Sequence, residues 1–128
     1  MSAARAISEK QAKMMFAYIA TQKNPVRNAC AFAISYFAGL RVKEIASLKV
    51  GDVLTANGEV KEVVRLTAEQ TKGNRAREIF FNTQCRKYIK AHVATLRFTD
   101  ESDALIQVMG KRTGFSANGL AIAMRNLY

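Results

Sequence analysis

The chain has 128 residues, 49% of them hydrophobic and 23% charged; this is the make-up of one globular domain and excludes a fibrous or disordered segment. Its 20 Lys and Arg against 10 Asp and Glu leave a net charge of +10, a balance that favours a polyanionic partner, nucleic acid above all. One histidine and two distant cysteines exclude a disulfide framework and a zinc-type ligand set, and they fit a reducing compartment.

Ser8 followed by Gln11 has capping-box spacing, and Ala12, Met15, Phe16 and Ile19 recur at helical intervals. The spacing predicts a first helix that ends before Asn24-Pro25. No apolar signal core precedes it, so export is not indicated and a cytoplasmic location is expected. Asn24 is placed to cap a second helix, with Pro25 at its first position. That helix is apolar on nearly every side, which makes it central, and Cys30 reads as one of its small buried residues. The apolar run from Ala29 to Leu40 is interrupted by Ser35 and falls short of the ~20 residues a bilayer requires, so no membrane partner is expected. Gly39 ends the helix by supplying a left-handed residue, and a short third helix follows from about Val42 to Leu48.

From Asp52 the period changes. "DVL", "VVRL" and "REIFF" are β-branched or aromatic runs separated by the turn signals Asn57-Gly58 and Lys72-Gly73-Asn74. They predict a three-stranded antiparallel sheet whose second hairpin carries "KGN" at its tip. Asn82 or Thr83 then caps a helix reaching about Arg97, with Tyr88, Ile89, Val93 and Leu96 on its apolar face. "FTDESD" reads as a polar loop, "ALIQVM" as a short extended or buried piece and "GKRTG" as a turn. Ser116 opens a last helix bearing Leu120, Ile122, Met124 and Leu127. The fold class expected is α+β, mostly helical, in one domain over residues 1–128.

Charge is concentrated late in the chain. Between Thr71 and Arg97, Lys72, Arg75, Arg77, Arg86, Lys87, Lys90 and Arg97 face a single acid, Glu78, for a local net of +6. A phosphate backbone is drawn to such a cluster. Neither GxxxxGK[ST] nor GxGxxG occurs, so nucleotide-cradling loops are not indicated. His92, mid-helix, reads as structural or exposed rather than catalytic.

The stretch "AGLRVKEIASLKVGDV" supports two functional readings. As a helix-turn-helix, its second helix would enter a major groove, although that helix is short and exposes only Lys43, Glu44, Ser47 and Lys49. As a corner, it would hold the Arg41 guanidinium at the surface, where a planar fork grips two oxygens of one phosphate. A plainer role for Arg41 is pairing with Glu44 or capping carbonyls at the helix end.

With "SEKQ" opening the first helix, "GLRVKEIASLKVGDV" as an arginine box and "TKGNRAREIFF" as a lysine hairpin, the chain resembles the catalytic domain of the tyrosine recombinases, the phage-integrase family. The resemblance covers nearly the whole chain. It implies site-specific DNA integration and recombination through a 3′-phosphotyrosyl link, on double-stranded DNA, with no metal or nucleotide cofactor, by homo-oligomers assembled on DNA. It matches Arg41 to the arginine that clamps the scissile phosphate and Lys72 to the lysine that protonates the departing 5′-oxygen. Glu44 matches the acid that supports the arginine. Lys43, Arg75 and Arg77 become further DNA contacts. The family continues into a His-x-x-Arg box and then the nucleophilic tyrosine. Here His92 is followed by Val93, Ala94 and Thr95, and Tyr128 comes before that box would begin. The expectation is therefore a partial catalytic domain, truncated before the second box, inactive alone, and able to self-associate through apolar residues exposed on its last helix. The rival expectation is a non-catalytic basic DNA-binding module: a helix-turn-helix regulator or a decayed recombinase.

Overall fold

A computed structural model describes residues 7–71, 73, 75–108, 111–115, 119, 120 and 124. Helix α1 spans Glu9–Ala20 and opens as its sequence dictates. The Ser8 hydroxyl accepts the Gln11 N–H at 3.1 Å, while the Gln11 amide oxygen accepts the Ser8 N–H at 2.8 Å. Helix α2 spans Pro25–Ala38 with Pro25 at its start, where a missing N–H costs nothing. Asn24 occupies the cap position but in a left-handed conformation (φ 54°), and its side chain makes no capping bond. Gly39 (φ 74°) ends the helix, its N–H donating to Ser35 O at 3.1 Å, in a conformation that costs glycine no Cβ clash.

Six consecutive residues of α2, Cys30 to Ser35, are buried. This happens because α1 covers one side, through the edge-on Phe16–Phe32 pair at 4.9 Å, and α5 (Thr83–Val93) covers another. The Asn82 side chain caps α5 by accepting the Cys85 N–H at 2.8 Å. The buried face of α5 is Cys85, Ile89 and His92, with Tyr88, Val93 and Leu96 only partly buried. The helix ends at Val93, short of Arg97.

The sheet differs from the expectation. Two strands form, β1 (Val63–Leu66) and β2 (Arg77–Phe80), antiparallel with Val63 opposite Phe80 and Leu66 opposite Arg77. The expected first strand, "DVL", falls instead on a one-turn helix, α4 (Val50–Val53), which follows α3 (Val42–Ser47). The Asp52 carboxylate accepts the Lys49 N–H at 2.9 Å and so satisfies a donor at the start of that turn. What remains of the strand is a single bridge between Leu54 and Val60. Val64, Leu66, Ile79 and Phe81 then carry the sheet's inner face into the main core beside Ile34, Leu40, Ile45 and Ile89.

Leu105 and Ile106 are buried in that core, and Lys49 bridges to Ala104. Leu120 and Met124 lie there too, only 2% and 4% exposed. The expectation of an exposed apolar face on the last helix is thus corrected at both of its described positions. Ile122 and Leu127 lie outside the described residues.

Candidate nucleic-acid interface

The corner after α2 is tied down by its backbone. Leu40 is fully buried, so the chain turns with its apolar anchor inside and the next residue facing out. Arg41 is extended (φ −83°, ψ 159°) as the first cap of α3. Its N–H donates to Glu44 Oε1 at 2.9 Å and its carbonyl accepts the Ile45 N–H at 2.9 Å. The Arg41 side chain, half-buried, has no hydrogen bond or ion pair among the described residues.

Glu44 follows three residues on, and its side chain is 3% exposed. A carboxylate so far from water needs donors. Among the described residues it has two: the Arg41 N–H, and the Arg77 guanidinium at 2.6 Å from the same Oε1. The second donor comes from β2, so Glu44 joins the arginine corner to the hairpin.

Two more polar residues shape the hairpin loop. Gln70 accepts the Thr67 N–H at 2.9 Å and donates to Ser47 O at 3.3 Å and to the Asp52 carboxylate at 3.1 Å, tying the loop to the end of α3 and the start of α4. Thr71 is buried; its hydroxyl accepts the Arg75 N–H at 2.9 Å and donates to Arg75 O at 2.7 Å. That pair of bonds closes the loop across residues 71–75. Lys72 and Asn74, the expected tip, lie outside the described residues.

Between the corner and the hairpin lies a cleft of about 720 Å³, lined by Arg41, Arg75 and Arg77 together with Glu44, Thr71 and Gly73. Of the five basic residues singled out in the sequence, three thus share one concave surface. Three guanidiniums against one buried carboxylate leave the cleft net positive, and a concave positive surface focuses field on an anion. Lys43 is exposed on α3 but does not line it. On α5, Lys87 and Lys90 are exposed, while Arg86 is spent on Phe81 O at 2.6 Å.

Other candidates for chemistry are held in structural roles. His92 is buried, with Nε2 2.7 Å from Leu105 O and Nδ1 without a partner; burial holds its pKa below 6.5. Burial pushes the Cys85 thiol up to about 12 and raises Cys30 well above its ordinary value, so both remain protonated and unreactive. Tyr88 stacks on Phe16 at 4.5 Å and Tyr36 on Phe32 at 5.9 Å. Tyr18 is 44% exposed. Tyr128 lies outside the described residues. Among the described residues, no group of three metal-binding side chains converges and no helix is long and apolar enough to cross a membrane.

Sequence reasoning did not single out Thr71 or Gln70 as parts of this site, nor the Arg77–Glu44 pair, and it had Asp52 only within the arginine box. The only signal was a polar "AEQT" run where the strand pattern stops.

The family described as the phage integrase family matches residues 5–125. The tyrosine recombinase XerD of Rickettsia prowazekii is 34% identical over 80 residues, covering 61% of this chain and 26% of that protein. The tyrosine recombinase XerC of Lactobacillus leichmannii is 26% identical over 107 residues, covering 80% of this chain and 34% of its own length. The chain therefore spans about a quarter to a third of these relatives. In fold, the crystal structure of XerA recombinase superposes with a TM-score of 0.70 at 21% identity, covering 94% of this chain and 40% of that one.

Proposed function

The chain belongs to the phage integrase family, and on that footing we propose that it is the DNA-gripping part of a site-specific recombinase. One observation carries the reading: Arg41, its backbone tied to Glu44 and its guanidinium without a partner among the described residues, shares one cleft with Arg75 and Arg77. Charge grows on the phosphate oxygens as a phosphodiester is attacked, and cations already in place oppose it without reorganising. Arg41 grips a non-bridging oxygen of the scissile phosphate. Lys72 supplies the proton to the departing 5′-oxygen. Lys43 and Arg75 hold the adjoining backbone. Glu44 supports Arg41 from inside the fold.

The partner is double-stranded DNA, and the chemistry is strand breaking and rejoining through a phosphotyrosine. The 128 residues hold no His-x-x-Arg, so this chain alone binds DNA without linking to it. Groups that act as a unit are grossly non-additive, so the second box is as necessary to the rate as Arg41.

Fluorescence anisotropy of a labelled mixed-sequence duplex, titrated at several salt concentrations, tests the binding. The logarithm of affinity should fall against log salt at about −0.9 per phosphate neutralised. Arg75→Ala should flatten that slope by about one contact. Binding indifferent to salt would sink the reading. Denaturing electrophoresis after incubation should show no protein–DNA band; one that vanishes on Tyr128→Phe would make Tyr128 the nucleophile instead.

A further inference from the structure

Arg75 and Arg77 are two residues apart and both line the cleft, yet they are employed differently. Arg75 is tied only through its backbone, to Thr71, and its guanidinium has no partner among the described residues. Arg77 commits a guanidinium nitrogen to Glu44 at 2.6 Å. The acceptor is the same Oε1 that receives the Arg41 N–H. A shift of that oxygen toward or away from Arg77 therefore moves it relative to the Arg41 backbone.

We propose that Arg77 is a positioning residue: it sets Arg41 through the shared Glu44 oxygen and does not itself neutralise a phosphate. The inference rests on the DNA reading above and reassigns one of its contacts. Glu44 is buried and carries no donor of its own, so without Arg77 its charge keeps, among the described residues, only the Arg41 N–H and draws on water or on a rearranged loop. Either response displaces the corner that presents the Arg41 guanidinium. Arg77 is placed for this by register: it stands opposite Leu66 at the loop end of β2, from where its guanidinium reaches Glu44 on α3. Gln70 makes the parallel tie, from the same loop to Ser47 and Asp52, so the hairpin is anchored even when Arg77 is changed.

Salt dependence separates the two roles. A phosphate contact contributes to the slope of log affinity against log salt; a positioning residue lowers affinity equally at every salt. With the same duplex and the full chain, Arg77→Ala should weaken binding about tenfold at every salt concentration with an unchanged slope. Arg75→Ala should flatten the slope by about 0.9. In the Arg41→Ala background, Arg77→Ala should cost no further affinity, because it acts only through Arg41; a merely structural role in hairpin stability would leave the affinity of the folded protein unmoved in both backgrounds. If Arg77→Ala does not fold, the paired Arg77→Met, Glu44→Gln variant removes both charges and is put through the same slope measurement. A slope lowered by about 0.9 in either Arg77 variant, additive losses with Arg41→Ala, or an unchanged affinity overturns the inference while the DNA reading stands. Wild-type binding that ignores salt overturns both.

Discussion

On the α1–α2–α5 side the molecule is held by shape: Phe16 against Phe32 and Tyr88, Cys85 against the α2 backbone, Ile89 inside the core. On the α3–hairpin side it is held by bonds to single atoms, chiefly Glu44 Oε1, the Gln70 amide and the Thr71 hydroxyl. Apolar contact is non-directional and summed over many atoms, so it stabilises without fixing any one group to a fraction of an ångström. Hydrogen bonds to a buried carboxylate contribute less net stability but set direction. A site that must meet a phosphate needs the second kind. The comparison predicts that stability and binding will separate by region.

The largest loss of stability should come from the helical side. Phe32 is 2% exposed and touches both Phe16 and Tyr36, so Phe32→Ala should cost about 3–5 kcal/mol through lost burial and a residual cavity. Urea denaturation followed by circular dichroism measures it. A loss below ~1 kcal/mol would mean that the α1–α2 contact is not a true core.

Glu44→Ala should come next, at about 1–3 kcal/mol, since it strands the Arg41 N–H while leaving Arg77, with 44% of its side chain exposed, free to return to water. A cost equal to that of Phe32→Ala would erase the distinction between the two regions.

The same division explains what was legible in the sequence. Ser8 with Gln11, Pro25, Gly39 and Asn82 act over a few residues, so pattern reading places the helix ends they govern. Asn24 shows the limit: the position was right, but a left-handed backbone turns its side chain away from the cap. The expected first strand is absent because the Asp52 carboxylate takes the Lys49 N–H and makes a helical turn from residues with strand propensity. The arginine corner was legible as a motif. Its ties were not, because Glu44 and Arg77 are 33 residues apart and Gln70 and Asp52 are 18 apart, and no periodicity reports such a bond. His92 was legible in principle: Cys85, Ile89 and His92 fall at i, i+4 and i+7, the spacing of one buried stripe.

That stripe gives a smaller effect, set by pH. His92 faces Leu105 O and lies near Arg27, and burial lowers its pKa from 6.5. A base whose folded pKa is depressed contributes stability that is complete above about 6.5, where both states hold it neutral. Below that value the unfolded chain binds a proton that the folded one refuses, and stability falls until the lowered folded pKa is passed. The urea midpoint should drop on acidification below pH ~6.5, and His92→Gln should remove that part of the drop. A midpoint unmoved by His92→Gln across this range would show that burial does not hold the ring neutral.

The smallest effect on stability should come from the residue with the most to do. The Arg41 guanidinium makes no bond within the described fold, and its backbone ties survive any side chain. It shares its cleft with Arg75 and Arg77, so it adds like-charge repulsion without offsetting contact. Arg41→Ala should therefore leave DNA-free stability within about 0.5 kcal/mol of the parent, with any change toward greater stability. Dilute salt should enlarge that gain, because screening within a Debye length of about 10 Å at 0.1 M mutes the repulsion. The same variant should bind the duplex far more weakly and with a flatter salt slope. A loss of 1 kcal/mol or more would instead give Arg41 a structural task at the end of α2, such as capping its last carbonyls. The separation of a stabilising side from a binding side would then fail at its most important residue.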